Sequence, residues 1–160
     1  MSCLRLRPAE VTDVSTILGF IRQLAEYERL SHECVATEAA LQETLFGSRR
    51  CAEVVLAEWE GVPAGFALFF HNYSTFLAKP GLYLEDVFVR PEHRGRGIGK
   101  ALLRHLAKLA MERGCGRFEW AVLDWNAPSI AFYRSLGAEP MSDWTVMRVA
   151  GPALERLAVD

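Results

Sequence analysis

Nothing in the 160 residues approaches the roughly 18 consecutive apolar positions that a membrane-crossing helix requires. Charge of one sign is also lacking: 18 Lys and Arg stand against 20 Asp and Glu, a net charge of −2. Composition therefore argues against nucleic acid as a partner, since counterion release needs a basic face. The four cysteines, Cys3, Cys34, Cys51 and Cys115, show no Cys-x-x-Cys spacing, which fits reduced thiols in a cytosolic protein. His32, His71, His93 and His105 show no metal-ligand spacing, so no metal is expected. Met1 to Pro8 has no apolar signal-peptide core, and no repeat or low-complexity tract appears. What is present is 51% hydrophobic residues and 11% aromatics. That is material for one domain over residues 1–160, soluble and cytoplasmic, burying about 70% of its unfolded surface.

The apolar period changes along the chain in a fixed order. Leu4 and Leu6 alternate with Arg5 and Arg7, which predicts a strand over Cys3 to Arg7. Val11, Val14, Ile17, Leu18, Ile21 and Leu24 then follow helical spacing as far as Glu26-Tyr27-Glu28. Thr37 is placed to cap a shorter helix that Gly47 stops. Strands are predicted over Glu53 to Glu60, Gly65 to Tyr73 and Leu82 to Val89, with a loop through Ser74, Lys79, Pro80 and Gly81. On the last of these, simple alternation groups Tyr83, Glu85 and Val87 on one face and Leu84, Asp86 and Phe88 on the other. A helix from Ile98, a strand over Arg117 to Leu123, a helix over Asn126 to Leu136 and a strand over Trp144 to Val149 complete the order. This sequence of elements implies an α/β fold, a mixed sheet with helices on both faces.

Between the strand ending at Val89 and the next helix lies Arg94-Gly95-Arg96-Gly97-Ile98-Gly99-Lys100. Glycine lets the backbone approach a ligand, and the first helical turn offers N–H groups with no internal acceptor. With the helix dipole and three basic side chains, these residues suit an anion such as a pyrophosphate. The same residues also read as a tight strand-to-helix connection with a solvated basic face. Gly95 and Gly99 enclose three residues and Ala101 follows Lys100, so a P-loop fails. The third glycine comes one residue early for a dinucleotide fingerprint.

Arg-x-x-Gly-x-Gly does fit, preceded by Leu84-Glu85-Asp86-Val87-Phe88-Val89 and followed by Asn126-Ala127-Pro128-Ser129-Ile130-Ala131-Phe132-Tyr133. This pair of motifs resembles the GNAT superfamily of acetyl-CoA-dependent N-acetyltransferases, and the likeness covers nearly the whole chain. Glu26-Tyr27-Glu28, Leu82-Tyr83-Leu84-Glu85-Asp86 and Asp124-Trp125-Asn126 are similar to the diamine and polyamine branch, the spermidine/spermine and thialysine acetyltransferases. The resemblance implies a mostly antiparallel sheet splayed at its central strands, with acetyl-CoA as co-substrate, and a homodimer.

Carried over residue by residue, it implies that the main chain of Val87, Phe88 and Val89 pairs with the pantetheine arm. Arg94, Gly95, Arg96, Gly97, Ile98, Gly99 and Lys100 would take the pyrophosphate, with Asn126, Pro128 and Ser129 also at the cofactor. Tyr133 would give a proton to the departing thiolate, its plainer alternative being a packing role beside Phe132. Glu85 would deprotonate the attacking ammonium or only attract it; Asp86, on the opposite face by alternation, is the lesser candidate. Tyr27, Glu28, Glu119 and Trp120 would contact the amine. Cys115 has no His or Asp placed to activate it, so direct transfer in a ternary complex is expected. The expected substrate is a small diamine, polyamine or lysine-like amine. Another amine, or a non-catalytic acyl-CoA sensor, are the alternatives.

Overall fold

Five strands and three of the helices fall in the first of two compact units, which ends at Ala121. The computed structural model describes residues 3–159. Strands β1 (Leu4–Pro8), β2 (Glu53–Trp59), β3 (Val62–Ser74), β4 (Lys79–Val89) and β5 (Arg117–Trp120) lie side by side in chain order. Every pairing is antiparallel except β4 with β5, whose connection crosses over through a helix. Helices α1 (Val14–Tyr27), α2 (Glu38–Phe46) and α3 (Ile98–Glu112) belong to this unit. Thr37 caps α2 as its sequence position suggested, its hydroxyl accepting from the Ala40 amide at 3.2 Å.

The apolar stripe of α1 meets one face of the sheet. Phe20 stacks on Phe66 with ring centroids 5.3 Å apart and tilts against Phe88 at 6.4 Å. Ile17, Leu24, Leu45, Val54 and Leu56 complete that core. The opposite face carries the buried Val55, Ala57, Ala67, Phe69, Leu82 and Leu84, and α3 packs on β2, β3 and β4 with Ile98, Leu102 and Leu106 buried.

One irregularity resets the expected faces of β4. Phe88 opposes Phe66, Val87 opposes Ala67 and Asp86 opposes Leu68, but Leu84 opposes Phe69. Glu85 is thus one residue more than β3 can pair, a β-bulge. Leu68 and Phe69 are neighbours on β3 and point to opposite faces, so Asp86 and Leu84 do as well. The grouping read from simple alternation is therefore corrected. Tyr83, Asp86 and Phe88 share the α1 face, while Leu84, Val87 and Val89 share the α3 face.

Three other expectations shift. The loop expected through Lys79, Pro80 and Gly81 shortens to 75–78, because Tyr73 pairs with Pro80 and Ser74 with Lys79. Strand β5 stops at Trp120 rather than Leu123. Trp144 to Val149 forms no strand; a ladder needs a second edge, and none pairs with this segment among the described residues. Its Trp144, Val146 and Met147 side chains are exposed. The second unit, from Val122, contains α4 (Ala127–Ser135) and α5 (Gly151–Val159).

Arg7 ties β1 to the entry of α1. Its guanidinium donates to both Asp13 carboxylate oxygens at 2.7 and 3.0 Å, and its Nε donates to Glu58 at 2.7 Å. The bonds to Arg7 hold the Asp13 carboxyl below its ordinary range, against an opposing effect of burial. Arg7→Met strands Asp13, leaves Glu58 only its longer pairing with Arg5 at 3.8 Å, and is expected to cost about 2–4 kcal/mol in urea unfolding at neutral pH. Asp13 contributes stability above the ordinary carboxylate pKa of about 4 and loses it as pH falls, so the deficit should narrow in acid.

Candidate active site

Strand β4 runs on to Val89, yet its pairing with β5 ends where Leu84 meets Trp120. Residues 86–89 are therefore laddered to β3 alone, and among the described residues no strand takes the edge that β5 would have taken. This is the parting of strands that the sequence comparison with the GNAT pattern implied. An extended ligand could complete that edge through main-chain hydrogen bonds.

At the far end of β4 the chain turns through Pro91–His93 into Arg94 and the glycines. Gly95 and Gly97 have φ of +75° and +77°, a region L side chains rarely adopt, and a Cβ at either would meet nothing within 4 Å. The turn is thus both glycine-dependent and open. Gly97 is the N-cap of α3 and provides no side chain to satisfy the first-turn amides. Among the described residues no Asp or Glu forms an ion pair with Arg94, Arg96 or Lys100. Helix N–H groups, dipole and uncompensated cations converge there, and the residues fit a phosphate-bearing ligand.

Arg94 is turned back onto the sheet. Its Nε donates to the Val89 carbonyl at 3.0 Å, and its guanidinium lies 5.2 Å from the Tyr27 ring centroid and 5.5 Å from that of Phe88. Tyr27, at the end of α1, is thereby joined to the glycine turn. Arg96 lies over the Trp59 ring at 5.0 Å.

The opposite end of the open edge is acidic. Glu28, the C-cap of α1, and Glu85, exposed in the bulge, both act electrostatically on Asp86. Burial, then the charges of Glu85 and Glu28, push the Asp86 carboxyl up to about 6. Burial also raises Glu28. Tyr83 is raised by burial first and then by Glu85 and Glu119, and its ring sits 5.1 Å from Phe70. Of the expected amine-contacting groups, Glu119 is already engaged: Arg117 Nε lies 2.6 Å from Oε1, and the Asn72 amide donates to the same oxygen at 3.2 Å. Trp120 is half-buried edge-on to Phe118.

The remaining expected residues lie in the second unit. Asn126 caps α4, its side-chain oxygen accepting from the Ser129 amide at 3.4 Å, and Pro128 occupies the first turn. Tyr133 is half-buried on the same helix, its ring 5.6 Å from that of Phe132. The geometry thus brings Tyr27, Glu28 and Glu85 to β4 and its glycine turn. It adds Asp86, which uninterrupted alternation had set on the wrong face.

An acetyltransferase (GNAT) family model matches residues 19–138, and the chain belongs to that family. It is an acetyltransferase. Among its relatives, thialysine N-epsilon-acetyltransferase of Mus musculus is 37% identical, covering 99% of both chains. L-ornithine N5-acetyltransferase NATA1 of Arabidopsis thaliana is also 37% identical, over 96% of this chain and 87% of that one. Among solved structures, an integron cassette protein from the mobile metagenome of V. cholerae shares the fold at a TM-score of 0.85, with 24% identity and full coverage of both chains.

A carboxyl raised to about 6 costs stability once ionised. Asp86 binds its proton more tightly folded than unfolded, so its penalty develops as pH rises from about 4 through 6. Asp86→Asn is expected to stabilise the protein by about 2–3 kcal/mol at pH 7.5 and by almost nothing near pH 4. Urea melts at both pH values check this.

Proposed function

We propose that the protein transfers acetyl from acetyl-CoA to a primary amine of a small diamine, polyamine or lysine-like molecule, by direct attack in a ternary complex. The observation that carries this reading is the one strand, β4, that joins an open edge and a cationic glycine turn at one end to a carboxylate group at the other. The ornithine and thialysine relatives support the amine class. Acetyl-CoA, when bound, supplies the activated acyl carbonyl.

The chain's part in the chemistry follows from its residues. Gly95 to Lys100 hold phosphate through amides and cations, and the main chain of Val87, Phe88 and Val89 pairs with the extended arm. Asn126, Pro128 and Ser129, at the head of α4, are assigned to the cofactor from the family likeness alone. A main-chain N–H near Val87 polarises the carbonyl as charge develops there. An ammonium of pKa about 10.4 cannot attack until it loses a proton, and a carboxylate takes it. Glu85 is the first candidate for that base. The burial of Asp86 favours a second assignment, since a carboxyl near 6 suits proton transfer at neutral pH better than an ordinary one. An acid limb near 6 in kcat/KM that Asp86→Asn removes would select Asp86; a limb that only Glu85→Gln removes would select Glu85. The family likeness assigns Tyr133 the gift of its own phenolic proton to the departing sulfur, while the carboxylate keeps the one taken from the amine. We further read the chain as cytoplasmic, from its dispersed cysteines, and as a homodimer, from the family likeness.

Tyr133→Phe keeps the ring and removes the donor, so kcat is expected to fall roughly 10²-fold or more with little change in acetyl-CoA affinity. Turnover equal to wild type, measured by CoA release, would reduce Tyr133 to packing.

The same carboxylates set the preference among amines. Glu119 is held by Arg117 and Asn72, which leaves Glu28, Glu85 and Asp86 for cations. One reacting nitrogen needs one base, so a second positive centre on the substrate accounts for the others. A partly desolvated pairing with a distal ammonium is worth about 1.5–3 kcal/mol, or roughly 10- to 150-fold in kcat/KM over a monoamine of equal length. Glu28→Gln is expected to remove most of that preference and leave monoamine turnover nearly unchanged. Equal wild-type rates for the two amines across ionic strengths would contradict the diamine assignment while leaving acetyl transfer intact.

A further inference from the structure

The glycine turn carries two arginines with different supports, and only one of them is tied to the strand that the cofactor edge belongs to. Arg94 is bonded to Val89 and set between Tyr27 and Phe88. Arg96 follows Gly95 and precedes Gly97, both at positive φ, and its side chain is exposed. An exposed arginine between two glycines would ordinarily sample many rotamers and lose that freedom on binding an anion. Here it lies over the Trp59 ring, 5.0 Å from its centroid, with no carboxylate partner among the described residues.

Trp59 itself is an unusual choice for its place. It closes β2 opposite Leu4 and Val62, half-buried, and its indole Nε1 is buried with no hydrogen-bond partner among the described residues. Phenylalanine would fill an apolar end-of-strand position without that unsatisfied donor. Tryptophan offers the strongest ring face for a cation. The unsatisfied indole and the stacked guanidinium have one common explanation, a platform for the arginine.

We propose that Trp59 is a positioning residue that holds the Arg96 guanidinium ready at the glycine turn, where it meets a phosphate of the CoA nucleotide. This rests on the acetyl-CoA reading above and adds to it a residue from β2, outside the turn and outside β4. A preplaced cation without a counter-charge loses little entropy when the anion arrives, so its contribution to affinity is larger than that of a mobile one. Arginine also suits the role because its planar guanidinium stacks on a ring while its N–H edge stays available to phosphate oxygens.

Calorimetric titration of CoA and of 3′-dephospho-CoA into the 160-residue chain tests this, with wild type, Trp59→Phe, Trp59→Leu, Arg96→Gln and the Trp59→Leu/Arg96→Gln double variant. Trp59→Leu and Arg96→Gln are each expected to weaken CoA binding by roughly 5- to 10-fold, while Trp59→Phe stays within about threefold of wild type. The double variant should bind no worse than Arg96→Gln alone. An equal loss with both ligands assigns the pyrophosphate; a loss confined to CoA assigns the 3′-phosphate. Both support the proposal. Unchanged CoA affinity in Arg96→Gln overturns it, and that exposed variant is informative even if Trp59→Leu fails to fold. Losses that add fully in the double variant also overturn it, since Trp59 would then act on the fold and not through Arg96. Wild-type protein that does not bind CoA would overturn the cofactor reading as well, which separates the two failures.

Discussion

Between Leu84 and Asp86, β4 holds one residue that β3 has no place for, and the site is arranged around that surplus. Without the bulge, Asp86 would follow Leu84 onto the α3 face, away from Glu28. With it, Asp86 comes to the α1 face, where burial and the charges of Glu85 and Glu28 push its carboxyl up to about 6. The same bulge puts Glu85 at the surface beside it. It also falls where β4 and β5 stop pairing, so the carboxylates gather at the start of the open edge. Bulges add twist and bend to the strand that carries them. That gives a local reason for the short run of β5 partners.

The net charge of −2 conceals a division of labour along β4. Glu28, Glu85 and Asp86 lie toward its bulge, and Arg94, Arg96 and Lys100 lie beyond its last residue. Like charges kept close and unpaired are a cost to the fold, and the core beneath them bears it: Phe20, Phe66 and Phe88 pack the region between α1 and the sheet. Tyr27 and Arg94 connect the two ends directly. In the proposed function the acidic end would concentrate a cationic amine and the basic end would take an anionic nucleotide.

Much of this was legible in the residues. Helical spacing from Val11 to Leu24 located α1, Thr37 and Gly47 bounded α2, and Gly95, Gly97 and Gly99 marked a turn whose backbone needs glycine. The choice of Glu28 and Glu85 as candidates came from the family likeness and from no local pattern. Asp86 was not legible, because a bulge at a glutamate carries no glycine or proline to announce it, and strict alternation then assigns the wrong face. Trp144 to Val149 misled in the opposite direction: its apolar residues look like a strand, but strands exist through partners that local sequence does not specify. The contact of Arg96 with Trp59 joins residues 37 positions apart, beyond the reach of any local pattern.

In the proposed function, acetyl-CoA would bind one continuous stretch, the free edge of β4 and the turn that follows it, through main-chain groups. Amide hydrogen exchange, residue by residue, with and without saturating acetyl-CoA, tests it most directly. Slowed exchange is expected at residues 85–89 and at the amides of residues 95–100, with β1 and β2 little changed. Protection that appears elsewhere and leaves both segments exchanging at their free rates would contradict it.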